Sequence, residues 1–216
     1  MHNVVTSGPR TAAMGLLLAL VCGTPPTAAA LEALGPLDGD GRVSYFIEPP
    51  PADTSARPAD RELAIWALES WQRAAEGKLT FVETHDEAAA LVRVYWAPAA
   101  GGQYGEMRSI EVGGLRGAAV FVRPDVTALG DAIATRAALD SLFRDTIVYL
   151  TCLHELGHAL GLEHTAEFAD IMYFFGFGGD ITEYFGRFRR QLNDRGDIRT
   201  TTGLSANDLA RIRALY

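Results

Sequence analysis

The chain of 216 residues is poor in cysteine, in positive charge and in histidine, and each scarcity excludes something. It has two cysteines, Cys22 and Cys152, and Cys22 falls in a stretch that reads as a removable leader. A single remaining thiol rules out an internal disulfide framework, so packing and any bound metal must carry stability. Nineteen Lys and Arg stand against 27 Asp and Glu, a formal net charge of −8, with no basic patch. Nucleic acid and an anionic membrane surface are therefore poor partners. The apolar stretch from Ala12 to Val21 is about half the ~20 residues that span a bilayer, so no stable membrane anchor is expected.

What the N-terminus does have is the order of a signal peptide. Arg10 gives a weak positive start, Ala12 to Val21 is apolar, and the segment ends in Ala28-Ala29-Ala30. The expectation is a signal peptide over 1–30, cleaved after Ala30, and a secreted or periplasmic product. Val21, before Cys22, is too bulky for lipoprotein processing. Cleavage leaves 186 of the 216 residues and removes one positive charge, Arg10, taking −8 to −9. A chain of that length suits a single globular domain, 31–216, and a monomer is expected.

Only five histidines occur, and three of them fall between positions 154 and 164. That window reads His154-Glu155-Leu156-Gly157-His158-Ala159-Leu160-Gly161-Leu162-Glu163-His164. Positions four apart share a helix face, so His154 and His158 can approach one ion. Glu155 is rotated about 100° from His154 and lies beside that ion rather than on it. Gly161 suits a left-handed helix end, which turns the chain so that His164 can supply a third nitrogen. Three protein ligands leave one position open, the arrangement of a catalytic zinc rather than a structural one.

The pattern H-E-x-x-H-x-x-G-x-x-H is the metzincin signature, and the chain resembles the matrixin branch of those zinc metallopeptidases. Thr165 stands where matrixins usually carry serine. Asp170-Ile171-Met172-Tyr173 resembles the Met-turn, implying that Met172 floors the metal without binding it. Tyrosine ligation is not expected, because Phe174 occupies the place of the tyrosine used in other branches. Leu204 to Tyr216 is similar to the last matrixin helix, with Ser205 and Asp208 as a capping pair. The resemblance implies one catalytic Zn2+ held by His154, His158 and His164. It implies Glu155 as the catalytic base on a zinc-bound water, and a protein or peptide substrate.

Two departures stand out. Segment 174–200 is longer than the usual tail, and Ile181, Tyr184, Phe185, Phe188 and Leu192 recur at helical spacing after Asp180, a candidate N-cap. This predicts an extra amphipathic helix that either shapes the pocket for the residue after the scissile bond (P1′) or simply packs. Nor does either cysteine lie in a prodomain switch, and His85 is the only histidine outside the motif once the leader is removed, so a second zinc is not expected. Ca2+ at Asp38-Gly39-Asp40-Gly41 is possible but unsupported, since calcium needs six or more oxygens and a turn suffices there.

The implied fold class is α+β and zincin-like. It comprises a mixed, twisted β-sheet with packed helices, an active-site cleft, and a small C-terminal helical subdomain from 162 onward. Strands are expected near 42–47, 79–83, 91–96, 104–110 and 118–123. Helices are expected at 60–75, 131–142 and 145–160, the last capped by Asp145 and apolar nearly all round, hence interior. Strand 104–110 or 118–123 should border the cleft. Two other functions stay open: a zinc-containing protein-binding module without proteolytic activity, and a zinc hydrolase of a non-peptide amide.

Overall fold

The computed structural model describes residues 35–37, 40–99 and 104–216. The leader, with its cleavage site and Cys22, lies outside the described residues, as do Asp38 and Gly39 of the acidic turn. Asp40 is described and accepts a hydrogen bond from the Arg42 amide, 3.2 Å.

Five strands form one mixed sheet: β1 (Arg42–Ile47), β2 (Thr80–Glu83), β3 (Val92–Trp96), β4 (Gly105–Val112) and β5 (Leu115–Val122). Their order is β2-β1-β3-β5-β4. The first four strands of that order run parallel, and β4 runs antiparallel to β5 across the Gly113-Gly114 turn. Interior strand β5 is almost continuously buried through Ala118, Ala119, Val120 and Val122, as expected of a strand covered on both faces. Edge strand β4 alternates more exposed positions and leaves one side unpaired by the sheet.

Six helices occur among the described residues: α1 (Asp60–Ala74), α2 (Asp131–Leu139), α3 (Ser141–Ala159), α4 (Ile181–Arg189), α5 (Asp197–Thr200) and α6 (Ala206–Leu215). Helix α3 is buried nearly around its circumference, from Phe143 to Gly157. It packs against α1 and under β4 and β5. The indole of Trp71 on α1 donates to the Leu153 carbonyl, 2.8 Å. Arg144 near the start of α3 pairs with Asp60 of α1 in a buried bridge.

The expected boundary of this helix needs correction. Asp140, not Asp145, is the N-cap, its side chain accepting from the Phe143 amide at 3.1 Å. Helix α2 stops at Leu139, so 140–144 belong to the next helix, anchored by fully buried Phe143. The Asp145 carboxylate is instead engaged by Arg195, 3.0 Å. Helix α4 appears where the aromatic spacing placed it, with Asp180 accepting from the Thr182 and Glu183 amides. Ser205 and Asp208 cap α6 reciprocally.

Candidate metal centre

The last turns of α3 carry His154, Glu155 and His158, and the chain leaves the helix through Gly161 with φ of 101°. That left-handed conformation suits glycine and redirects the chain toward His164. One ring nitrogen from each of His154, His158 and His164 lies within 4.8 Å of the others. His158 Nε2 and His164 Nε2 are 3.1 Å apart. Two nitrogens on a tetrahedral ion at 2.0–2.1 Å are about 3.3 Å apart, so this spacing fits zinc.

The protons on these rings are set by what each Nδ1 touches. His154 Nδ1 lies 2.7 Å from the Ile171 carbonyl, and His158 Nδ1 lies 2.8 Å from the Leu162 carbonyl. A carbonyl can only accept, so each Nδ1 carries the hydrogen and each Nε2 keeps its lone pair toward the cluster. Burial is the main cause that lowers all three imidazoles. His154 falls to about 3 and His158 to about 4, with the neighbouring histidines adding to both shifts. Three neutral rings with converging lone pairs form a donor set for a divalent cation.

Glu155 is 5% exposed and sits under the rim. Burial raises its carboxyl to about 8; Arg123 pulls it down and Glu106 pushes it up. It lies against Gly105 at the start of β4, where a Cβ would come within 2.6 Å of Glu155 Cγ. The cleft rim is thus β4, the edge strand. Gly105 was not singled out in the sequence, because nothing local marks a close approach from a residue fifty positions away.

Met172 is fully buried, next to Ile171, whose carbonyl holds His154. Its sulfur packs so closely on Gly157 that a Cβ there would collide with Sδ and come within 3.1 Å of Trp71. The loop carrying His164 pairs with this floor: the Thr165 amide donates to Met172 O, 2.8 Å, and the Phe174 amide to Thr165 O, 3.1 Å. Phe174 then lies over His164, ring centroids 4.8 Å apart. Tyr173 turns away, its hydroxyl donating to Gly178 O.

A polar chain behind the floor was also missed. The Ile171 amide donates to buried Asp208, 2.8 Å, and Tyr184 donates to the Ile171 carbonyl, 3.0 Å. Ile171, whose carbonyl orients His154, is therefore held at its amide by α6 and at its carbonyl by α4. Asp208 was legible as a cap, but its second task depends on tertiary contact.

His85 stands apart, with its side chain 98% exposed. No helix among the described residues is long and apolar enough to cross a membrane. No curated protein matches the chain. The sequence model of the matrixin family does match it, over residues 39–178, from the sheet's first strand through the histidines and Met172. The chain belongs to the matrixin family, a family of zinc-dependent endopeptidases.

Proposed function

We propose that the protein is an exported zinc endopeptidase in which His154, His158 and His164 hold the metal through Nε2 and Glu155 is the proton carrier. The observation that supports this most directly is the pairing of Nδ1 with backbone carbonyls at His154 and His158, which leaves Nε2 free to coordinate. When bound, zinc supplies Lewis acidity that polarises a carbonyl and brings the pKa of water toward about 7.

The chain's own groups do the rest. Positive charge at the cluster favours the ionised form of Glu155, whose carboxylate takes a proton from the attacking water and delivers it to the leaving amine nitrogen. The water oxygen bonds to the carbonyl carbon as the C–N bond breaks, so the products are a carboxylic acid and an amine. The unpaired side of β4 can hold an extended substrate through backbone hydrogen bonds. Segment 174–189 forms the wall of the pocket for the P1′ side chain.

Export rests on the leader pattern at 1–30, and N-terminal sequencing of the mature product should begin at Leu31. A quenched-peptide or casein assay with and without chelator tests the activity. Chelator-sensitive cleavage restored by zinc is expected; zinc-loaded protein that binds peptides and never cuts them would favour the binding-module reading.

A further inference from the structure

Tyr104 belongs to no motif, yet its ring stands beside the histidine cluster. Its carbonyl accepts from the Arg123 amide, 2.9 Å, which fixes the residue immediately before β4 and beside Gly105. From that rim the ring crosses toward the segment after Met172. Its centroid is 5.9 Å from Phe185 at 85°, 6.0 Å from Phe175 at 76°, and 6.5 Å from His154. Behind these rings, Tyr184 packs edge-on against both Phe175 and Phe185. Its own hydroxyl is tied to Asp170 and Ile171. Tyr104 bridges this aromatic cluster to the rim.

We infer that Tyr104 fills the P1′ recess and limits it to small side chains, an inference that rests on the endopeptidase reading. Edge-to-face packing on two rings holds Tyr104 in place. Its hydroxyl makes no hydrogen bond among the described residues, so ring contacts rather than a polar tether set its position. Gly, Ala or Ser after the scissile bond fits without moving it. Phe or Trp there must displace it and forfeit those contacts.

Cleavage-site profiling of zinc-loaded wild type, Tyr104→Ala and Tyr104→Phe on a peptide library tests this, alongside calorimetry in a Glu155→Gln background. The calorimetric ligands are two peptides that differ only in Ala or Phe at P1′. Wild type should favour small P1′ residues. Tyr104→Ala should move the Phe-to-Ala ratio of kcat/KM by about 10-fold or more, the scale of hydrophobic-pocket discrimination. Tyr104→Phe should keep the wild-type preference, because it keeps the ring. In the Glu155→Gln background, Tyr104→Ala should shift the relative peptide affinities in the same sense without turnover. An unchanged Tyr104→Ala profile, at wild-type zinc content and melting temperature, overturns the inference. Should Tyr104→Ala not fold, Tyr104→Leu makes the same comparison with a smaller apolar body. A wild type that cuts no peptide defeats the endopeptidase reading, while the calorimetric pair still decides whether Tyr104 limits the recess.

Discussion

The carboxylate of Glu155 rests directly against the backbone of Gly105, with no room for a side chain between the zinc-site helix and the rim strand. One residue without a Cβ thus lets Glu155, the proposed proton carrier, lie against the edge strand. Gly105→Ala should push Glu155 aside. Misplacement by about 1 Å costs on the order of 100-fold in rate. Peptidase kinetics should fall by roughly that factor, with zinc content by elemental analysis unchanged.

Gly157 serves the opposite face of the same helix, and here two effects compete. Alanine gains about 1 kcal/mol in helix propensity, but overpacking against Met172 and Trp71 typically costs about 1–3 kcal/mol. Because Met172 and Trp71 are both fully buried, overpacking should win. Denaturant unfolding of Gly157→Ala should show a net destabilisation of up to about 2 kcal/mol; a gain in stability would mean that the floor yields freely.

Asp208 links the C-terminal helix to the candidate metal site through Ile171. Asp208→Ala removes a cap and leaves the buried Ile171 amide unpaired, a loss of about 1–3 kcal/mol. It also loosens Ile171, whose carbonyl orients His154 and is then held only by Tyr184. Changes in such outer partners cost about 10–100-fold in metal affinity, and competition with a zinc-binding dye should find that loss.

Cys152 is completely buried, and desolvation pushes its thiol far above the usual cysteine range. Only the thiolate reacts, so native protein should resist a thiol-specific reagent and react stoichiometrically once unfolded. Rapid labelling of the native mature protein would contradict that burial.

Much of this arrangement was legible in local pattern. The spacing of His154, His158, Gly161 and His164 specifies a face, a stop and a return. The aromatic series after Asp180 specifies α4. The helix start at Asp140 was harder, because two helices abut there and periodicity carries across the join. Gly105, Tyr104 and Asp208 act through partners distant in sequence, and neither periodicity nor capping rules register such contacts. The rim strand, too, became definite only once β4 was seen at the sheet edge.

The central claim is that Glu155 moves the proton while the three histidines alone retain the metal. Glu155→Gln should be purified with as much zinc as wild type, keep its melting temperature, and lose nearly all peptide hydrolysis. The decisive measurement is kcat for that variant at matched zinc content. A rate near wild type would contradict the account.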